Sequence, residues 1–231
     1  MLKNLSRPRW IALTLFLIGL IYLFLRLSEW QMDRYHLRIL SNNTITKAFN
    51  SEAKQIKSSM ELKNMKAWEK VQLSGSFLND DSMLVRKQYL ESKLGFWVIT
   101  PFQLENNDLI LINRGWIPIA SSSSAVEEIP KASQGLVKIK GYLQKFSNFV
   151  EKPSDLPKNQ LNQINYRDFS SDLNKDYYVQ LNESFPQDRE IAIIPLPELS
   201  NGPHLSYAIQ WILFALLLPI GWFVLLRNEA K

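Results

Sequence analysis

The stretch WIALTLFLIGLIYLFL, residues 10–25, contains no charged residue. As an α-helix it would span about 24 Å, slightly less than the hydrocarbon core of a bilayer, which is about 30 Å thick. Arg26 can extend its guanidinium to the lipid head groups, and Trp10 and Trp30 are placed for the two interfaces. The sequence therefore predicts a first transmembrane helix over residues 10–29.

A cleaved signal peptide is the competing interpretation of this stretch, because both begin with basic residues followed by an apolar run. The residues after Leu25 are Arg-Leu-Ser-Glu-Trp, which offer no small-x-small cleavage site. An uncleaved anchor is therefore favoured.

The stretch YAIQWILFALLLPIGWFVLL, residues 207–226, predicts a second transmembrane helix, with Gln210 as its only strongly polar side chain. Basic residues precede the first span and follow the second, which favours cytoplasmic ends at residues 1–9 and 227–231. The connecting segment, residues 30–206, then lies on the other side. Since the nine residues before the first span contain no Arg/Ser-rich leader, we expect a bacterial cytoplasmic (inner) membrane protein with a periplasmic domain.

Charge and composition exclude several classes of function. The net charge is +5, but residues 31–206 carry 21 Lys/Arg against 20 Asp/Glu, so the excess lies at the chain ends. A nucleic-acid-binding protein would carry its positive charge on the folded domain. There is no cysteine, which excludes disulfides and thiolate chemistry, and His36 and His204 are the only histidines. No nucleotide or hydrolase motif is present.

The central segment begins with a helical pattern over residues 30–66, which predicts a continuation of the first span and then a second helix turning back. From Trp68 onward, apolar and polar residues alternate, which is typical of strands. The predicted strands cover residues 68–77, 83–89, 95–104, 109–116, 135–144, 177–181 and 191–194, with a turn at 106–108, a loop at 121–124 and an irregular excursion at 146–175. We therefore expect an α+β or mostly antiparallel β domain between two transmembrane helices.

The start of the second span carries a candidate binding face. If the helix begins near His204, then Tyr207, Ala208 and Trp211 share a face with it, at spacings of three, four and seven residues. A flat, apolar ligand with a metal that needs an axial nitrogen fits such a face. The alternative is an interfacial aromatic belt with a histidine that only caps the helix or forms a hydrogen bond.

Two further motifs admit a functional and a structural interpretation. In residues 113–118, Arg114 can hold a ligand carboxylate, or it can pair with a nearby acid while Gly115 bends the strand and Trp116 packs in the core. Outside the first span, Trp30 and Arg34 lie one helical turn apart, so both can face the His204 end of the second span or serve as an interface anchor.

Together these residues resemble the Surfeit locus protein 1 (Shy1-like) family. The resemblance rests on the motifs WQxxR at residues 30–34, GFWVITPF at 95–102, NRGWIP at 113–118 and HLSYAIQW at 204–211, and it covers essentially the whole chain in order. It implies a non-enzymatic factor for the assembly of cytochrome c oxidase that binds or delivers haem a. The expected partners are oxidase subunits, proteins of haem a biosynthesis and membrane lipid.

By the same resemblance, His204 matches the family's axial ligand to haem iron. Tyr207 and Trp211 would then flank the ring, and Arg114 and Trp116 match the NRGW element, where we hypothesise a contact with a haem propionate. Two alternatives remain: a haem-free scaffold that holds oxidase subunits, and an unrelated membrane-anchored sensor or binding domain.

Overall fold

Both apolar stretches form long α-helices. In the computed structural model, helix α1 covers Pro8–Asn50 and helix α2 covers His204–Glu229. Each contains an 18-residue window apolar enough to cross a membrane, with mean hydropathies of 2.2 and 2.3. At 1.5 Å per residue α1 is about 65 Å long, so it extends well beyond a hydrocarbon core of about 30 Å.

The structure describes residues 7–119, 128–147, 156–169 and 172–229. Between the two helices, these residues form eight strands and three short 3₁₀ helices. The strands are β1 (Lys54–Gln55), β2 (Lys70–Phe77), β3 (Met83–Leu90), β4 (Lys93–Leu104), β5 (Leu109–Pro118), β6 (Val137–Lys145), β7 (Gln160–Leu161) and β8 (Tyr177–Phe185); the 3₁₀ helices are Ser59–Asn64, Asn79–Asp81 and Tyr166–Asp168.

The chain divides into two units, one of which comprises the helices up to Thr46 and from Glu198 onward, and the other Lys47–Pro197. The second unit is one mixed sheet in the order β1-β2-β6-β8-β5-β4-β3-β7, and a further pairing of β2 with β4 closes five of its strands into a ring. Most pairings are antiparallel, including the predicted hairpin of β4 and β5; those of β1 with β2, β3 with β7 and β5 with β8 are parallel. The predicted fold class is therefore confirmed.

Alternating side chains of the ring strands point inward and form the main core. Its members are apolar and nearly inaccessible, which is the arrangement that stabilises a small barrel. The central side chains are Val71, Leu73, Phe102, Leu104, Ile110, Ile112, Val137, Ile139, Leu143, Val179 and Leu181.

The expected second helix within residues 30–66 is wrong. Helix α1 ends at Asn50, and the chain continues through β1 into the 3₁₀ helix Ser59–Asn64. There Ser58 and Glu61 form a capping box, while Ile56, Leu62 and Met65 are buried in the barrel core. Burial of these three side chains overrides the helical composition of the segment.

The expected strand at 191–194 is also wrong, since only Ala192 forms an isolated bridge, with Trp116. Pro195 and Pro197 lack amide donors, so the chain cannot continue the ladder there. The described part of the 146–175 excursion contains β7 and the 3₁₀ helix Tyr166–Asp168. The predicted loop at 121–124 lies outside the described residues.

Closure of the ring depends on Gly75, where β2 pairs with both β4 and β6. A Cβ at this position would lie 2.0 Å from the carbonyl oxygen of Gln103. We expect Gly75→Val to separate β2 from β4 and to lower the melting temperature by roughly 5 °C or more, measured by tryptophan fluorescence of the purified full chain. Ser74→Val, at the adjacent half-buried position, is the control; equal melting temperatures for the two variants would contradict this account of closure.

Candidate functional site at the start of helix α2

Helices α1 and α2 pack antiparallel along one seam. Ser28 Oγ donates to the Ala208 carbonyl oxygen at 3.0 Å, and Trp222 Nε1 donates to Thr14 Oγ1 at 3.2 Å. At the end that carries both termini, Arg9 forms an ion pair with Glu229. Ala208 is fully buried in this seam. Small residues and polar contacts between helices are what hold helices together where the surroundings are as apolar as the side chains.

The seam places His204 against Gln31 of α1. Nδ1 of the imidazole lies 2.8 Å from Gln31 Oε1. With the amide oxygen as acceptor, Nδ1 carries the hydrogen of the neutral ring and Nε2 keeps its lone pair. Histidines that bind metals are commonly oriented by such a second hydrogen bond, since it fixes both the tautomer and the ring plane.

The segment before the helix keeps space beside the free nitrogen. Gly202 has a φ of +67°, and a Cβ at this position would lie 3.4 Å from Cδ2 and 3.7 Å from Nε2 of His204. Pro203 directly precedes the helix, and its carbonyl oxygen accepts hydrogen bonds from Ser206 Oγ and the Tyr207 amide. Any other residue at 202 would be strained by this backbone conformation, and its Cβ would be in van der Waals contact with the imidazole.

An aromatic group lies two turns along α2 from the histidine. The rings of Trp211 and Phe24 are stacked with centroids 5.4 Å apart, and Phe214 lies 6.0 Å from Phe24 and 5.8 Å from Trp211. The predicted face is thus divided: Ala208 lies in the seam, Trp211 is half-buried against α1, and Tyr207 is 47 % exposed. Phe24 is a member of this group that the sequence analysis missed.

Of the two interpretations of Trp30 and Arg34, the structure favours the interface anchor over a contact with His204. Trp30 is 53 % exposed, and the Arg34 guanidinium lies 6.0 Å from the centre of its ring on the same helix. Gln31, the next residue along, makes the contact with His204. It lies three residues after Ser28 and therefore on the same face of α1.

Arg114 belongs to the other unit and sits in a β-bulge. Asn113 pairs with Ile99 and Gly115 pairs with Val98, so Arg114 is the extra residue on β5. Gly115, at a φ of +141°, lets the backbone bend at this point. The bulge turns the Arg114 side chain into the domain, where it is 0 % exposed.

The buried guanidinium is held by the chain itself. Arg114 forms an ion pair with Asp188, donates to the Pro130 carbonyl oxygen at 2.7 Å and lies 5.5 Å from the centre of the Phe77 ring. Burial lowers the pKa of Arg114, while the carboxylates of Asp188 and Glu190 oppose that shift. The structure thus favours the structural interpretation of this motif.

Trp116 is buried as well. Its Nε1 donates to the Gln88 carbonyl oxygen at 3.2 Å, and Gly95 opposite leaves the space that its ring occupies. Arg114 and Trp116 lie in one unit while His204, Tyr207 and Trp211 lie in the other.

The chemistry available at His204 suits one kind of metal. The described residues contain no group of three or more His, Cys, Asp or Glu side chains that could hold a bare ion. The site offers one oriented imidazole nitrogen, a glycine beside it and aromatic rings nearby. A metal that brings its own planar set of ligands needs no more than an axial nitrogen of this kind.

The sequence matches the SURF1 family over residues 18–216. The chain therefore belongs to the SURF1 family, a membrane-anchored family generally associated with the assembly of cytochrome c oxidase and not known as an enzyme family. This confirms the resemblance seen in the sequence.

Individual relatives agree with this assignment along most of the chain. An uncharacterized SURF1-like protein of Mycobacterium tuberculosis is 28 % identical over 230 residues, which cover 95 % of this chain and 84 % of the relative. A SURF1-like protein of Rickettsia felis is 25 % identical over 218 residues, covering 89 % of this chain and 93 % of the relative.

The contact between His204 and Gln31 predicts a single tautomer. In the neutral ring we expect the hydrogen on Nδ1, and we expect Gln31→Leu to shift it largely to Nε2, because the acceptor is lost while the side-chain size is kept. Side-chain ¹⁵N chemical shifts of His204 measure this, with His36→Ala as the background since it removes the other histidine. Wild-type shifts in which Nε2 carries the hydrogen would contradict the assigned contact.

The structural role of Arg114 predicts a strong dependence on its partner. We expect Asp188→Asn to leave a buried cation without a carboxylate and to lower the free energy of unfolding by about 2–3 kcal/mol, since the carboxylate itself is partly exposed. Thermal unfolding of the full chain followed by tryptophan fluorescence measures this. Glu183→Gln, which breaks the exposed pair with Lys140, is the matched control and should leave the melting temperature unchanged. Equal effects of the two substitutions would show that Arg114 does not depend on Asp188.

Proposed function

We propose that this protein is an assembly factor for cytochrome c oxidase that binds haem a at the start of helix α2 and passes it to the catalytic subunit. His204 is the axial ligand of the iron in this proposal. Tyr207 and Trp211 lie on the same helix within two turns and contact the ring. The proposal assigns no propionate contact to Arg114 or Trp116, because the domain itself encloses both side chains.

The observation that carries the proposal is the contact that orients the His204 ring. With Gln31 Oε1 as the acceptor of the Nδ1 hydrogen, Nε2 has a free electron pair, and Gly202 beside it carries no side chain. A histidine that serves only to join the two helices would need the hydrogen bond to Gln31 but not a free Nε2. Haem supplies the iron and its four equatorial nitrogens, so one axial nitrogen from the protein completes a five-coordinate site.

The same site suits transfer better than storage. His204 is half-buried and the neighbouring Tyr207 is exposed, so a bound ring would remain accessible from one side. The proposal assigns the iron one protein ligand, His204. A site with one protein ligand and an open side releases its ligand to a partner more readily than a closed one.

We further place the protein in a bacterial cytoplasmic membrane with Lys47–Pro197 on the periplasmic side. The antiparallel helices bring the start of α1 and the end of α2 together at one end of the pair, where Arg7, Arg9 and Arg227 lie. Basic residues favour the cytoplasmic side. His204, at the opposite end of α2, would then lie at the periplasmic boundary.

Removal of the axial ligand tests the proposal. We expect the full chain, purified in detergent from cells that make haem a, to show a Soret band, and we expect His204→Ala to lose or shift it while the protein remains folded. The exposed His36 provides the matched control, and His36→Ala should keep the wild-type spectrum.

A scaffold that never holds haem predicts a different result. It would co-purify with oxidase subunits but show no Soret band, even when haem a is added to the purified protein. An unchanged spectrum in His204→Ala would remove His204 as the ligand.

A further inference from the structure

One flank of the helix pair carries an apolar groove of about 420 Å³, which we call the flank groove. Its walls come from both helices, and all of its lining side chains are apolar or aromatic. They include Leu13, Leu17 and Phe24 of α1 and Phe214, Leu218 and Gly221 of α2.

Gly221 opens the flank groove without serving the contact between the helices. Glycines in membrane helices commonly let two backbones approach closely. A Cβ at residue 221, however, would have no atom within 4 Å, and the position is exposed. The missing side chain therefore leaves empty space in the groove wall rather than room for α1.

The flank groove lies on the same side of the helices as the His204 site. Tyr207, Phe214 and Gly221 recur every seven residues on α2, which is close to two helical turns. On α1 the same interval separates Leu17 and Phe24 from Gln31, the partner of His204. The flank groove and the contact between Gln31 and His204 thus follow one another along one side of the helix pair.

The distances along α2 set the size of ligand that reaches the groove. Phe214 is ten residues from His204, or about 15 Å, and Gly221 is seventeen residues away, or about 26 Å. A planar ring bound at His204 covers only the first turns. An extended chain attached to the ring edge is needed to enter the flank groove.

We propose that the flank groove receives the isoprenoid tail of haem a while His204 holds the iron; this inference rests on the proposed function. Haem a and haem o both carry a hydroxyethylfarnesyl chain, which is apolar and long, whereas haem b carries a short vinyl group at that position. The groove therefore selects for a tailed haem. The surrounding lipid is as apolar as the groove. The tail therefore gains binding free energy from packing contacts rather than from exclusion of water, and the preference for a tailed haem over haem b is moderate.

A groove-filling substitution tests this inference. Gly221→Leu places a side chain in the empty space, leaning toward Phe214 because helical side chains point toward the N-terminus. We expect it to weaken the binding of haem a and haem o about fivefold, or about 1 kcal/mol, and to leave haem b binding unchanged. The measurement is absorbance titration of the detergent-purified full chain, produced without haem a synthesis, with each of the three haems.

Gly19→Leu is the matched control. Gly19 also lies exposed on a membrane helix with no atom within 4 Å of its would-be Cβ, but it is not part of the flank groove. Both substitutions add the same side chain and the same helix propensity. Gly19→Leu should therefore bind all three haems as the wild type does.

The outcomes separate this inference from the proposed function. If wild type binds haem a, His204→Ala does not, and Gly221→Leu keeps the wild-type preference for haem a over haem b, the groove holds a lipid acyl chain only and the inference is wrong. Equal losses for haem a and haem b in Gly221→Leu would likewise overturn it. If wild type binds no haem, the proposed function and the inference both fail.

Discussion

The pairing of α1 and α2 along one seam positions each group of the candidate site. The two helices are separated in sequence by the entire sheet domain. The site needs both of them, because His204 lies on α2 and its partner Gln31 on α1. The buried contact between Ser28 and Ala208 lies one turn from the contact between Gln31 and His204. The Ser28 contact is buried in the seam, where water does not compete with it, so it fixes the register of one helix against the other.

The sheet domain is held together differently from the helix pair. Its closure depends on burial of apolar side chains and on the close approach of two strand backbones. Gly75 lets β2 and β4 meet, and the bulge at Arg114 turns a cation inward against Asp188. These features stabilise the domain, and both terminal nitrogens of the Arg114 guanidinium are bound to Pro130 and Asp188. The proposed haem site therefore uses residues of the helix pair only.

Much of this organisation could be predicted from the sequence. Apolar runs located both helices, alternation located most strands, and the spacing of His204, Ala208 and Trp211 identified a helical face. The periodicity of apolar residues predicted the wrong conformation where tertiary burial decides it. An example is Leu62, which lies in a 3₁₀ helix and is buried in the barrel core. Periodicity also failed for Ala192, which pairs with Trp116 for one residue only.

The partner of His204 was harder to predict for a physical reason. Trp30, Gln31 and Arg34 are all compatible with an interface position, and the choice among them depends on the rotation of α1 about its axis. That rotation is set by packing against α2, which a single helix does not encode. Phe24 could not be predicted as part of the aromatic group, because the sequence pattern does not distinguish it from the other apolar residues of the first span.

Cysteine cross-linking in native membranes tests the seam most directly, because the chain has no cysteine of its own. We expect Ser28→Cys with Ala208→Cys to form a disulfide on mild oxidation, detected by non-reducing mass spectrometry of the linked peptides. The same Ser28→Cys with Ile209→Cys, whose side chain faces away from the seam and is half exposed, should not. Cross-linking of the second pair in preference to the first would mean that α2 presents a different face to α1, and His204 would then not meet Gln31.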